Sequence, residues 1–222
     1  YEIASCLVGS EMCIRDRWDK YPVEQVATPE GYARNPELVI NFYNERRKQL
    51  LEVRPNDGHL GLAELEADFN VTVVTQNIDN LHERAGSRRI IHLHGELTKV
   101  CSSRDPYNPH YIKELKPDEY EVKFGDKAGD GTQLRPFIVW FGEPVPEIET
   151  AVNYVEKADI FVIIGTSMNV YPAAGLLNYV PREAEVYLID PKPVDVHSMR
   201  RIHVIQKGAS EGVRELRSLL QP

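Results

Sequence analysis

The sequence predicts an α/β fold: a Rossmann-like parallel sheet flanked by helices, with a smaller inserted module that lacks zinc ligands. Three observations predict it. Short runs rich in β-branched residues recur along the chain, and stretches of helical pattern alternate with them. Proline, glycine and charge are concentrated in one interval, residues 102–136.

The strand candidates are Val71–Thr75, Ile160–Ile164, Val186–Ile189 and Ile202–Ile205, with a weaker run at Ile90–Leu93. Continuous apolar runs of this length suit strands buried on both faces. Residues 36–51 place Leu38, Phe42, Arg46 and Leu50 along one side of a helix, and Pro36 suits its first turn. Residues 58–68 and 147–157 are helical in pattern, and Ser210 is placed to cap a helix from Glu211 to about Leu220. The interval 102–136 holds four prolines, several glycines and many charges, which predicts a small excursion from the main sheet.

The chain has 222 residues, of which 42% are hydrophobic, enough for one large core or two small ones. A net charge of -8 provides no electrostatic footprint for nucleic acid or an anionic membrane, and suits basic partners such as lysine-rich peptides. Three scattered cysteines, Cys6, Cys13 and Cys101, make neither a disulfide framework nor a Cys-x-x-Cys pair. No apolar run approaches the roughly 18 residues of a membrane span, and no signal peptide pattern is present. A cytoplasmic monomer is the expectation. A chain that opens on Tyr1 is expected to be a piece of a longer one.

In an open parallel sheet, ligands bind outside the carboxyl ends of the strands. The residues that follow the strands here are Gln76-Asn77-Ile78-Asp79-Asn80, His94-Gly95, Gly165-Thr166-Ser167 and Asp190. Each has a plainer explanation. Gly-Thr-Ser is often a turn with a helix cap, Asn and Asp in such turns bond their own backbone, and a lone histidine is more often structural. His92 shares a strand face with His94 and reads as structural.

Taken together, the runs Thr75-Gln76-Asn77-Ile78-Asp79, Leu93-His94-Gly95, Val139-Trp140-Phe141-Gly142-Glu143 and Ile164-Gly165-Thr166-Ser167 occur in an order that resembles the sirtuins, enzymes that use NAD to remove acyl groups from protein lysines. The resemblance extends from Trp18 to Leu220. It implies that Asn77 positions the nicotinamide ribose and a water, Asp79 holds the carboxamide, Gln76 lies near the ribose, and His94 is the catalytic base. It assigns Gly165, Thr166, Ser167, Asp190 and Ala209 to the cofactor. Val139, Phe141 and Gly142 would lie in a strand that pairs with the substrate peptide, and Asn169 and Val170 in the strand opposite. The Tyr43-x-x-Arg46 pair resembles the carboxylate grip of the bacterial-type desuccinylase and demalonylase branch. Acylated lysine side chains of proteins are the implied partners. Nicotinamide and O-acyl-ADP-ribose are the implied products.

The chain departs from that family in two places. Most members hold structural zinc with two Cys-x-x-Cys pairs; only Cys101 remains here, so no zinc is expected and the 99–135 module should be held by packing alone. Members also open with a strand and a Gly-Ala-Gly-x-Ser loop. Residues 5–17 read SCLVGSEMCIRDR, with a single Gly9, and resemble translated adapter sequence joined to a truncated reading frame. The expected organisation is residues 1–17 as an atypical, non-native segment, 58–98 with 136–222 as the Rossmann-like NAD-binding domain, and 18–57 with 99–135 as the small domain. Without a glycine loop, a catalytically impaired NAD or ADP-ribose binding module is the alternative to a deacylase, and ADP-ribosyl transfer is a third reading.

Overall fold

The computed structural model describes residues 2–6, 21–165, 173–193 and 201–220. Its larger sheet is six-stranded and wholly parallel, built from β1 (Glu2–Cys6), β2 (Asn70–Thr75), β3 (Ile90–His92), β7 (Ile160–Ile164), β8 (Glu185–Ile189) and β9 (Ile202–Ile205) in the order β3-β2-β1-β7-β8-β9. The order reverses at β1, which is the switch point where such sheets open a crevice. Residues 76–79, Gly165 and Asp190 all leave the sheet at this carboxyl edge.

The strands alternate in the way a sheet covered on both faces requires. Val74, Phe161, Ile163 and Leu188 pack on one face with Ala151 and Val155 of α6 (Ile148–Val155). Val71, Val73, Val162, Ile164 and Ile189 pack on the other with α4 (Asp57–Leu65) and α7 (Ala209–Leu220) through Leu62, Leu65, Val213 and Leu216. The predicted strands all form, although β3 ends at His92, and Leu93 and His94 turn away from it.

β1 was not among the predicted strands. Glu2–Cys6, set apart with the first seventeen residues on sequence grounds, pairs with β2 on one side and β7 on the other. Its register is held by two backbone ladders rather than by pattern, and buried Ile3 is its one large aliphatic side chain. A second correction concerns α7. It starts at Ala209, where Gly212 N–H donates to Gly208 C=O at 2.8 Å, so Ser210 lies in the first turn and does not cap it.

The smaller sheet is antiparallel, in the order β5 (Lys113–Glu114), β4 (Gly95–Ser102), β6 (Leu134–Ile138). Three helices pack against it: α1 (Val23–Val26), α2 (Pro29–Arg34) and α3 (Pro36–Glu52). Asn35 caps α3 by accepting from Leu38 N–H at 3.1 Å, with Pro36 in the first turn as expected. The buried surface of α3 is wider than one stripe, because Val39, Ile40, Tyr43, Asn44 and Arg47 are enclosed together with Phe42, Arg46 and Leu50.

Packing alone does not hold the 99–135 module. The buried Ser102 hydroxyl donates to Asp130 Oδ2 at 2.6 Å and accepts from the N–H groups of Arg104 and Asp105, each at 3.0 Å, and Thr132 Oγ1 lies 2.9 Å away. This polar node joins the two loops that flank β4 and β6. Ser102→Ala would leave two backbone N–H groups without their acceptor, at a cost of about 1–3 kcal/mol. Denaturant unfolding of the variant measures that loss.

Among the described residues, no helix is long and apolar enough to cross a membrane.

Candidate active site

The site is built around the turn that follows β2. Thr75 Oγ1 accepts from Asn77 N–H at 3.0 Å and starts the turn, and Asp79 Oδ1 accepts from Leu81 N–H at 3.1 Å at the start of α5 (Leu81–Ala85). Leu97 N–H donates to Ile78 C=O at 2.7 Å and joins the turn to β4. The bland expectation for Asn and Asp in such a turn is thus met by Asp79 Oδ1. Its second oxygen, Oδ2, is buried without a hydrogen-bond partner. Burial pushes the Asp79 carboxyl up, while the Leu81 N–H acts against that.

Two imidazoles reach this turn, His92 from the end of β3 and His94 from the β3–β4 connection. His94 Nδ1 lies 3.2 Å from Gln76 C=O and His92 Nδ1 lies 3.0 Å from Asn77 C=O, so each ring donates to one of two consecutive carbonyls. The His94 bond fixes its tautomer: with the proton on Nδ1, Nε2 carries the lone pair. Burial pulls the His94 pKa down, partly opposed by the Gln76 carbonyl, and favours the neutral ring.

The 139–143 segment differs from expectation. Leu134–Ile138 is the strand; beyond it, Glu143 N–H donates to Trp140 C=O at 3.0 Å and Gly142 takes φ 91°, which makes a turn. The Glu143 carboxylate sets it, taking Trp140 N–H at 2.8 Å and pairing with Arg135 through two bonds of 2.7 and 3.0 Å. Val139 N–H donates to His94 C=O at 2.9 Å and Phe141 N–H to Ala27 C=O at 3.0 Å. These N–H groups are therefore engaged within the fold, and Phe141 presents its ring to solvent, 64% exposed.

Tyr43 and Arg46 are both buried on α3. The Tyr43 oxygen accepts from Trp140 Nε1–H at 3.1 Å, which leaves its own proton free to be donated. Arg46 lies over the Phe42 ring at 4.7 Å and donates to Gln49 Oε1 at 3.2 Å. Burial, the larger influence, pushes the Tyr43 phenol up, while the Arg46 charge is near enough to act against it. Through Trp140 and its neighbour Val139, whose N–H donates to His94 C=O, Tyr43 is linked to the main chain of His94.

Gly165 ends β7 with φ 59°, a left-handed backbone that favours glycine, and its N–H donates to Ile189 C=O at 2.9 Å. Asp190, at the end of the neighbouring strand, is buried and uses Oδ1 to accept from Lys192 N–H at 2.8 Å. Ala209 opens α7 beside the start of α4, where a Cβ on Gly58 would lie 3.4 Å from its methyl. Thr166, Ser167, Asn169 and Val170 lie outside the described residues, as do residues 7–17.

Sequence reasoning missed two groups. Trp140, flagged only as part of a motif, packs its indole against the Arg135 guanidinium at 3.6 Å and orients Tyr43. His59 and His82, far apart in the chain, are buried with ring centroids 4.7 Å apart behind Asp79. Burial and the nearby His59 push His82 down to about 3, so it is a neutral ring.

The residues present do not fit a structural zinc ion. Burial pushes the Cys101 thiol up to about 12, and its Sγ lies against Pro136 C=O at 3.7 Å. The one group of three ligand-type side chains among the described residues, Glu83, His92 and Glu96, does not include Cys101 and is occupied by ion pairs with His92 and Lys99.

A parallel sheet with its switch point at β1, a small antiparallel sheet beside it, and an imidazole facing an Asn-x-Asp turn define the class. The chain belongs to the Sir2 family, which it matches over residues 15–172. It is 84% identical over 205 residues to an NAD-dependent protein deacylase of Bacteroides thetaiotaomicron, covering 92% of this chain and 88% of that one. It is 46% identical over 199 residues to the NAD-dependent protein deacylase of Helicobacter pylori strain 26695, covering 90% and 84%. Among solved structures, a Sir2 homologue in complex with NAD superposes with TM-score 0.80 at 31% identity, over 100% of this chain and 91% of that one. An ADP-ribose complex of a Sir2 homologue variant gives 0.81 at 32%, over 100% and 95%.

Proposed function

We propose that the chain is an NAD-dependent protein-lysine deacylase that yields free lysine, nicotinamide and O-acyl-ADP-ribose. The observation that carries the reading is His94, held by its Nδ1–H on the Gln76 carbonyl with Nε2 as the free base, at the same turn that holds the buried and unpartnered Asp79 Oδ2. An acceptor-only carboxylate oxygen fits the NH2 group of a carboxamide. NAD supplies a ribose carbon open to attack once nicotinamide departs. The remaining work belongs to the chain. Asp79 receives the carboxamide, Asn77 and Gln76 orient the ribose, and His94 Nε2 accepts a proton from a ribose hydroxyl. Gly165, Asp190 and Ala209 serve the rest of the dinucleotide along the sheet edge, and Thr166 and Ser167 are assigned to the same cofactor. The large sheet carries the cofactor in this reading, and segments 18–57 and 99–135 carry the acyl end.

The acyl group reaches the site past Phe141 and Gly142, and Asn169 and Val170 are assigned to the same substrate. With the N–H groups of residues 139–141 engaged, peptide pairing on this segment relies on its carbonyls. We assign Tyr43 and Arg46 to an acidic acyl chain, succinyl or malonyl, alongside acetyl. The fixed direction of the Trp140 bond supports this, because it leaves the phenol proton as a donor to a carboxylate, and Arg46, three residues further along α3, brings the positive charge that suits one. Arg46→Met is expected to cut desuccinylation at least about 10-fold more than deacetylation. Parallel turnover of succinyl- and acetyl-lysine peptides measures it, and equal losses remove the assignment.

One observation favours a second reading, a binding module with impaired catalysis: residues 5–17 hold one glycine and no Gly-x-Gly. The test for both is nicotinamide release from NAD with acyl-lysine peptide, by the chain with and without a restored N-terminal glycine loop. Release by the restored protein alone selects the impaired module for this chain. No release by either overturns the deacylase reading.

A further inference from the structure

His92 and His94 both face the catalytic turn, yet their partners impose different proton counts. His94 has one acceptor partner, Gln76 C=O, and can keep a bare Nε2. His92 has two. Its Nδ1 lies 3.0 Å from Asn77 C=O and its Nε2 lies 2.8 Å from Glu83 Oε1. A carbonyl and an ionised carboxylate can only accept. Both bonds exist together only when both ring nitrogens carry protons, that is, when His92 is an imidazolium.

We propose that His92, charged and clamped by Glu83 of α5, is a positioning residue that fixes the Asn77 main chain and thereby aims Asn77 and Asp79, so that the site works with one histidine charged and its neighbour neutral. The inference rests on the deacylase reading of this site.

The surroundings of His92 favour the charge. Glu83 and His82 face it from α5, Glu96 from the start of β4, and Asp79 and the Asn77 carbonyl from the turn. Glu96 is itself paired with Lys99 at 2.7 Å. His82 adds no charge, since it is held down at about 3, and burial lowers His59 behind it as well. Burial of His92 works against protonation, but the bond to Glu83 and its charge outweigh that and raise the pKa above the usual 6.5. Burial pushes Glu83 the other way, but the His92 bond prevails and holds Glu83 ionised.

The two histidines therefore bracket a pH window. A neutral His94, with its lowered pKa, is lost as pH falls through a value below 6.5; a charged His92 is lost as pH rises through a value above 6.5. Environments that push two pKa values apart are how one site keeps an acid form and a base form together.

The test pairs a spectrum with a rate. Long-range proton–nitrogen spectra of the full chain with labelled histidine should show His92 doubly protonated at neutral pH and His94 neutral, and Glu83→Gln should lower the His92 titration point. In the protein of the preceding experiment, Glu83→Gln should move the alkaline limb of nicotinamide release to lower pH. It should also reduce kcat about 10-fold above neutrality, with the acid limb and the KM for acyl peptide unchanged. Glu83→Asp should restore part of the loss. A neutral His92 in the unaltered chain, or an alkaline limb that Glu83→Gln leaves in place, overturns the proposal. A protein that releases no nicotinamide at any pH overturns the deacylase reading, and the spectrum still decides the state of His92.

Discussion

Replacing His94 with tyrosine is expected to reduce deacylation of both acetyl- and succinyl-lysine peptides by about 10²–10⁴-fold, the usual contribution of a positioned general base. The phenol removes three things together. It has no basic nitrogen at neutral pH, it cannot reproduce the Nδ1–H bond to Gln76 C=O at 3.2 Å, and it crowds a ring site that is only partly open. The main chain around it should persist, because the bonds of Leu93 N–H to Thr75 C=O and Val139 N–H to His94 C=O, both 2.9 Å, are backbone bonds. Free lysine on the peptide, followed over time with NAD in excess, measures the effect. Turnover within a few fold of the unaltered protein would remove His94 from its role. An unchanged unfolding midpoint would show that the loss is chemical and not structural.

Much of the large sheet was readable in the sequence, for a specific physical reason. Ile160–Ile164 and Val186–Ile189 are buried on both faces, so their apolar runs are unbroken and flanked by polar residues. β1 lacked that mark. Glu-Ile-Ala-Ser-Cys has one large aliphatic residue, and its place in the sheet comes from pairing with β2 and β7, where the partners of Ile3, Val71 and Ile160, lie 68 and 157 positions away in the chain. The β6 end misled for the opposite reason. Val139-Trp140-Phe141 has strand composition, yet a left-handed Gly142 and the Glu143 carboxylate fold it into a turn. Both are local features, but their outcome depends on Arg135 lying opposite Glu143.

The candidate site was legible where its residues adjoin in sequence. The strand-end rule places Gln76 to Asp79 and His94 at one edge, and in the structure His94 meets Gln76 C=O and His92 meets Asn77 C=O through two imidazole–carbonyl bonds. The sequence did not indicate which of the two histidines is charged. That depends on Glu83, which reaches His92 from a separate helix. The same holds for Ser102. An expectation of packing alone missed it because a hydroxyl becomes structural only when its acceptor, Asp130, and two N–H donors converge on it in space.

Gly95→Ala is expected to destabilise the fold by about 2–5 kcal/mol, the sum of a left-handed backbone penalty and an overpacked contact. Gly95 joins the His94 turn to β4 with φ 81°, a conformation that residues with a Cβ adopt only under strain. A Cβ there would lie 2.2 Å from Phe137 O and 3.0 Å from Ile138 Cα. Both are main-chain atoms of β6, opposite Gly95 in the ladder, so no side-chain rotation relieves the clash. The strand would have to move, and with it the Val139 N–H that holds His94 C=O, so activity should fall together with stability. Gly131→Ala separates the two contributions. Its φ is 78°, but a Cβ there meets nothing within 4 Å, so only the backbone penalty of about 1–2 kcal/mol applies. Denaturant unfolding of the two variants side by side measures the difference. If Gly95→Ala costs no more than Gly131→Ala, the close crossing of β4 and β6 beside the base does not exist.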